Sequence, residues 1–246
     1  MSKSVLITGA SSRIGKHIAY GLAEDGWQVI IHYNRSKQAA LNTVEDITKR
    51  GGNAVAIDGN LSVPQDVDSL IERTLGAVGG YLSALINNAS TFDDDRISQF
   101  TRATFDHHIN VNLYAPIRLA QHFAKQLPAD QKGSIINLLD QRVLHPDPSY
   151  FTYAISKNAL FAATKTMAQD LAPKIRVNGI GPGPTLRNKA QTEAMFNEEV
   201  QSTLLGEGSP PHTIVQAVRY LLAADAVTGQ MIAVDGGQHL ASILEE

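Results

Sequence analysis

The chain has 246 residues, 21 Lys and Arg against 24 Asp and Glu, 43% hydrophobic residues, 19 Gly and no Cys. This is a globular composition with apolar residues enough for a sizeable core, and a net charge of −3 offers no basic footprint for nucleic-acid phosphates. The missing cysteines exclude disulfides, thiolate nucleophiles and Cys-ligated zinc, and no run approaches the ~18 apolar residues of a membrane span.

Short β-branched runs alternate with segments of helical period along the chain. The strands Val5–Thr8, Gln28–His32 and Ala54–Ile57 are separated by helices over Ile14–Glu24 and Gln38–Lys49. A helix from about Val67 to Leu75, a strand Leu82–Ile86, a long helix from about Phe105 to Lys125 and a strand Ser134–Leu139 follow. A helix from about Tyr153 to Leu171 and a strand Ile175–Asn178 lead into a Gly/Pro-rich turn, Gly179–Pro184. The chain then runs through a polar stretch, a helix near Ile214–Leu222 and a last strand, Met231–Val234. Strands apolar along their whole length and separated by helices predict a parallel sheet buried on both faces. The expected fold is α/β: one Rossmann-type, doubly wound domain over 1–246, with about seven strands and a lid around 184–210. The first apolar run, Val5–Ile7, is too short for a signal-peptide core, so a cytoplasmic location is expected.

Thr8-Gly9-Ala10-Ser11-Ser12-Arg13-Ile14-Gly15 joins the first strand to the first helix. Glycines there permit a tight turn and close backbone approach to a pyrophosphate, held on the positive end of the helix. An acid at the end of the second strand would bind the ribose hydroxyls of NAD and repel a 2′-phosphate. Here the segment reads His32-Tyr33-Asn34-Arg35-Ser36, with no acid, a guanidinium suited to phosphate and a hydroxyl beside it. NADPH is therefore the expected cofactor.

Tyr153 and Lys157 stand four residues apart, on one face of a helix. A cation near a phenol lowers its pKa from about 10, making it a usable proton donor near neutrality. The same chain carries Asn87-Asn88-Ala89-Ser90 after the fourth strand, Asn112 in the following helix and Pro182-Gly183 after the sixth strand. With these motifs in this order, the whole chain resembles the short-chain dehydrogenase/reductase family. The resemblance implies Tyr153 as the acid, Lys157 as the group that lowers its pKa and holds the nicotinamide ribose, and Asn112 as part of a proton relay. It also implies Gly9, Ser12, Ile14, Gly15, Tyr33, Asn34, Ser36, Asn88, Ala89, Pro182 and Gly183 along the cofactor.

Two positions depart from the common family pattern. Arg13 stands where a third glycine is usual, and thirteen residues before Tyr153, where a serine is usual, stands Asp140. A hydroxyl there donates to a carbonyl oxygen as negative charge grows on it, whereas a carboxylate opposes that charge. Asp140 suits proton delivery through Tyr153 to a ring nitrogen, as reduction of a C=N bond requires. These departures, with the Arg35 segment, Phe92 and the closing Asp235-Gly236-Gly237, resemble the pteridine reductases and bacterial dihydromonapterin reductases. That resemblance implies that Arg13 contacts cofactor phosphate and substrate, that Phe92 stacks the pterin against the nicotinamide, and that Ser90 contacts cofactor or substrate. Relatives carry Asp-Leu after the third strand to hold adenine, and this chain has Asn60-Leu61.

The expectation is thus an NADPH-dependent reductase of a dihydropterin or dihydrofolate C=N bond, in tetrahydropterin or tetrahydrofolate metabolism. A general carbonyl or 3-oxoacyl reductase, with Asp140 protonated, is the alternative; a non-catalytic NADP-sensing module is a second. The resemblance implies a homotetramer or dimer, and the charge balance and the lack of a long apolar run leave no nucleic-acid or membrane partner expected. His107 and His108 are read as partly exposed helix residues rather than metal ligands, Trp27 as packing the first helix on the sheet, and Asp93–Asp95 as a solvated loop beside Phe92.

Overall fold

Every residue of the first strand, β1 (Ser4–Ile7), is buried, because the strand is paired on both edges and covered on both faces in the computed structural model, which describes residues 3–188 and 190–241. Its neighbours are β2 (Gln28–Tyr33) and β4 (Ala84–Asn87); β3 (Asn53–Asp58), β5 (Gly133–Leu138), β6 (Ile175–Pro182) and β7 (Met231–Val234) complete one parallel sheet. The order is β3-β2-β1-β4-β5-β6-β7. It reverses direction between β1 and β4, the place where open parallel sheets bind ligands outside the carboxyl ends of their strands.

Alternate residues of β1 feed two cores. Val5 and Ile7 pack with α1 (Arg13–Glu24), α2 (Lys37–Lys49) and α8 (Pro211–Ala223), whereas Leu6 packs with α3 (Pro64–Val78), α5 (Ala115–Gln126) and α6 (Phe151–Leu171). Each such fully buried aliphatic side chain contributes about 1.5–3 kcal/mol. Trp27 is partly buried against the α1 side. No helix of the described residues is long and apolar enough to cross a membrane.

Three expectations are corrected. The single long helix is α4 (Arg102–Ile109), a π-helical turn at Asn110–Tyr114, and α5. The turn assigned to Gly179–Pro184 belongs to β6 as far as Pro182, where Gly179, Ile180, Gly181 and Pro182 pair with β7. Glycine there admits the packing of neighbours: a Cβ on Gly181 would meet the Met231 side chain. Within the expected lid a helix forms, α7 (Glu193–Gln201), capped by Thr192 and with no buried residue; Lys189 lies outside the described residues. A short helix, α9 (Gln238–Ala241), follows β7.

Candidate active site

The glycine turn lies at the carboxyl end of β1. Gly9 adopts φ +65° and Arg13 φ +52°. A Cβ on Gly15 would fall 2.4 Å from Asn88 Nδ2 and 2.6 Å from the Gly9 carbonyl, so only glycine permits this approach. Asn88 braces the turn from behind, donating to the carbonyls of Thr8 (2.8 Å) and Gly9 (3.2 Å), while Ala89 packs beneath Gly9. Buried His32 holds it from the β2 side: Gly9 N–H donates to Nδ1 (3.1 Å), and Nε2–H donates to the Gly59 carbonyl (3.0 Å). Those partners fix a neutral imidazole with its proton on Nε2, and burial lowers its pKa to about 4. His32 was visible in the sequence as a polar residue in an apolar strand, a position that demands partners on both nitrogens.

The donor set fits a dinucleotide. Ser12, at the N-terminus of α1, makes no side-chain cap, and no acid stands in the first turn, so the chain itself does not neutralise the helix's positive end. The same holds at α2, where Ser36 is the uncapped first residue beside exposed Arg35 and Asn34. A 2′-phosphate there would meet a helix N-terminus and a guanidinium together. Tyr33 and Ile14 are partly buried in the α1-side core, and Leu61 is a core residue on the other face. Asn60 organises the turn after β3: its Oδ1 accepts from Ser62 N–H (3.1 Å) and Ser62 Oγ (2.8 Å). Pro182 and Gly183 sit against β7, with Gly183 N–H donating to Val234 O at 3.0 Å. Arg13 reaches the start of the lid segment, donating to the carbonyls of Leu186 and Arg187, both at 2.9 Å.

Tyr153, Lys157 and Asp140 converge at the carboxyl end of β5. Asp140 heads a short 3-10 turn, accepting from Arg142 N–H (2.9 Å) through Oδ1 and from the Tyr153 phenol (2.7 Å) through Oδ2. Lys157 is buried; its ammonium donates to Leu138 O (2.7 Å) and lies 5.7 Å from the Tyr153 ring centroid. Burial lowers the Lys157 pKa to about 8, with Asp140 pulling the other way. The expectation that the lysine lowers the phenol's pKa is corrected: burial first, then the charge and hydrogen bond of Asp140, hold Tyr153 well above its ordinary value. The side chain of Asn112, buried in the π-helical turn, is engaged elsewhere. It accepts from Thr91 N–H (2.9 Å) and Ser90 Oγ (3.1 Å) and donates to Thr91 O (3.0 Å) and Ser156 Oγ (3.1 Å). It thus ties the loop after β4 to α6, in the kind of helical bulge that clusters at functional sites.

Phe92 stands at the mouth. Its ring is stacked on Tyr150, with centroids 4.0 Å apart and planes 13° off parallel, and meets Tyr153 edge-on at 4.6 Å. The Arg142 guanidinium lies 5.0 Å from the Tyr150 centroid and 5.7 Å from that of Phe92. Tyr150 and Arg142 escaped the sequence reading, since nothing in their spacing ties them to Phe92; Tyr150 has φ +54° ahead of α6, a strained backbone.

Two further expectations are corrected. His108 is fully buried: Nε2 accepts from Asp93 N–H (3.2 Å), and Nδ1–H donates to Thr152 Oγ1 (2.7 Å). Asp95 is buried rather than solvated, because its carboxylate accepts from both the N–H (2.9 Å) and the hydroxyl of Thr152, fixing the loop to the start of α6. Asp93 and Asp94 are exposed.

A family model described as Enoyl-(Acyl carrier protein) reductase matches residues 9–239. The 3-oxoacyl-[acyl-carrier-protein] reductase FabG of Staphylococcus aureus is 31% identical over 247 residues, covering 98% of this chain and 99% of the relative. The crystal structure of FolM Alternative dihydrofolate reductase 1 from Brucella canis, complexed with NADP, superimposes with a TM-score of 0.94 at 41% identity, covering 97% of this chain and 94% of that one. The angucycline C-6 ketoreductase LanV with bound NADP gives a TM-score of 0.90 at 33% identity, covering 97% of this chain and 96% of that one.

Proposed function

The chain belongs to the short-chain dehydrogenase/reductase family, and from that premise we propose that it uses NADPH to reduce a C=N bond of a dihydropteridine ring. The observation that carries this reading is the Asp140 carboxylate, 2.7 Å from the Tyr153 phenol. A carbonyl oxygen gathers negative charge as it is reduced, and a carboxylate against it raises that barrier. An imine-type ring nitrogen is far more basic than a carbonyl oxygen, so it takes up its proton before or with the hydride and the displaced electron pair leaves it neutral rather than anionic.

Gly9, Ser12, Arg13, Gly15 and the N-terminus of α1 would hold the pyrophosphate, and Arg35 with Ser36 the 2′-phosphate. Bound NADPH supplies the hydride to the ring carbon. Tyr153 gives its phenolic proton to the adjacent nitrogen, converting C=N to CH–NH. The phenolate left behind is reprotonated from solvent through the half-buried Asp140. Phe92, Tyr150 and Tyr153 give a flat heterocycle a π surface beside the proton donor, where offset stacking adds about 0.5–1.5 kcal/mol beyond area burial. The greater identity to FolM, 41%, than to FabG, 31%, supports the same reading.

NADPH oxidation by the purified protein with dihydromonapterin, dihydrobiopterin and dihydrofolate, beside a β-ketoacyl thioester and simple ketones, tests it. Turnover of the pteridines is the expected result; turnover of the carbonyl compounds alone overturns it. Full-length similarity to FabG favours one second reading, reduction of a 3-oxoacyl thioester. The same panel separates the two.

A further inference from the structure

Phe92 is held through both of its chain neighbours. Asn112 accepts from Thr91 N–H (2.9 Å), and His108, about one helical turn earlier, accepts from Asp93 N–H through Nε2 (3.2 Å). The same two side chains reach α6, again about one turn apart: Asn112 donates to Ser156 Oγ (3.1 Å) and His108 Nδ1–H donates to Thr152 Oγ1 (2.7 Å). Two rungs therefore join the loop that carries Phe92 to the turn of α6 that carries Tyr153, and the two rings meet edge-on at 4.6 Å. One rung is an amide, which does not titrate near neutrality. The other is a fully buried imidazole, which can.

Hydrogen-bond directions fix the state of that imidazole. The Thr152 hydroxyl donates to the Asp95 carboxylate, so it accepts from the ring, and the proton of the neutral ring sits on Nδ1. Nε2 is then the acceptor for Asp93 N–H. A second proton, on Nε2, would set N–H against N–H. The Asp93 carboxylate, exposed and 3.7 Å from Nε2, is the acceptor within reach, and engaging it requires residue 93 to turn and to carry its neighbour Phe92 along. The Thr152 end of the rung survives, because Nδ1–H is unchanged.

We propose that His108 is a positioning residue: its neutral ring holds Phe92 beside the Tyr153 phenol, and its protonation releases Phe92 and dismantles the aromatic wall against which the heterocycle lies. The occupant of that wall rests on the pteridine reading; the rung itself does not. The groups facing the ring are Asp93 and Asp95 from the loop after β4, His107 from α4 and Tyr153 from α6, the last with its ring centroid 6.2 Å away. Burial holds the His108 pKa below its ordinary 6.5, against the pull of Asp93 and Asp95 and with the help of His107. The wall is therefore intact at neutral pH and fails on acidification.

The experiment follows the KM for dihydromonapterin, with saturating NADPH, from about pH 7.5 to about pH 5 in the wild type, His108→Gln and Asp93→Asn. Glutamine offers an amide oxygen to Asp93 N–H and takes up no proton in this range; Asp93→Asn is an exposed change that spares the core. In the wild type the KM should rise about threefold or more on acidification, while the KM for NADPH stays within about twofold. The rise should vanish in His108→Gln. In Asp93→Asn it should move to lower pH, because a carboxylate that favours the charged ring is gone. Should His108→Gln not fold, the shift in Asp93→Asn decides. Imidazole nitrogen NMR of the free protein reads the rung without substrate: the Nδ1–H tautomer is expected at neutral pH, with the Asp93 amide signal moving at the midpoint of the ring. A flat wild-type KM, or a rise unchanged in both variants, overturns the inference and leaves pteridine reduction standing. Failure to turn over any dihydropterin overturns the pteridine reading, and NMR then judges the rung alone: an Nε2–H tautomer, or an Asp93 amide indifferent to His108, overturns it.

Discussion

The phenol of Tyr153 donates to the carboxylate of Asp140 across 2.7 Å, although the two residues lie on different elements, one in α6 and the other after β5. Through this contact, added to the effect of burial, the carboxylate raises the cost of removing the phenolic proton.

Asp140→Asn removes the charge and keeps the shape. Loss of a group acting in proton transfer costs about 10²–10⁴-fold, so pteridine kcat should fall by at least a hundredfold while NADPH affinity changes little. Because the Asp140 charge is one of the causes that lift the Tyr153 pKa, the phenol should ionise at lower pH in the variant. Ultraviolet titration of the tyrosinate and a pH–rate profile read this shift; an unmoved profile refutes the coupling. In Asp140→Ser, carbonyl turnover should hold or rise as pteridine turnover falls.

Arg35 is exposed beside the uncapped N-terminus of α2. A hydrogen bond to a charged group contributes about 1.5–3 kcal/mol, so Arg35→Ala should raise the KM for NADPH some ten- to hundredfold. The KM for NADH, which has no 2′-phosphate, should stay within about twofold. Parallel loss with both cofactors would place Arg35 elsewhere than at the phosphate.

Gly15→Ala would push a methyl group against Asn88 Nδ2 and the Gly9 carbonyl at 2.4 and 2.6 Å. The turn must then open, because one of those atoms is backbone. NADPH binding followed by fluorescence should be lost, with a fall in melting temperature; binding at wild-type affinity would refute the tight-turn account.

His32 predicts a pH dependence of stability. Its folded pKa of about 4 lies below the ordinary value of 6.5, so between those values the unfolded chain binds the extra proton and the folded chain does not. Stability therefore falls as pH drops from about 6.5 to about 4, by about 3 kcal/mol from this residue alone. Urea unfolding at a series of pH values measures the slope, and a His32→Gln variant should flatten it.

The sequence by itself determined the order of strands and helices, the single parallel sheet, and the glycine turn, Arg35, Tyr153, Lys157 and Asp140 as the residues of interest. The elements and the glycine turn are local features, set by apolar periodicity, the freedom of glycine and the repeats of strand and helix, whereas Asp140 stands out only against the pattern of the family that the chain resembles. Tertiary structure alone decided what these groups touch. Nothing in the spacing shows that Asp140 turns its carboxylate onto the Tyr153 phenol, or that Asn112 is engaged by the loop after β4 and by α6. Nor does it show that His108 and Asp95, polar and in polar surroundings along the chain, are buried together against Thr152. The sign of the Tyr153 shift follows from the same cause. Charge proximity along one helix face suggested a lowered pKa, but burial and a carboxylate from another element raise it, the one cation that pulls it down is Arg142, and all of these exist only once the chain has folded.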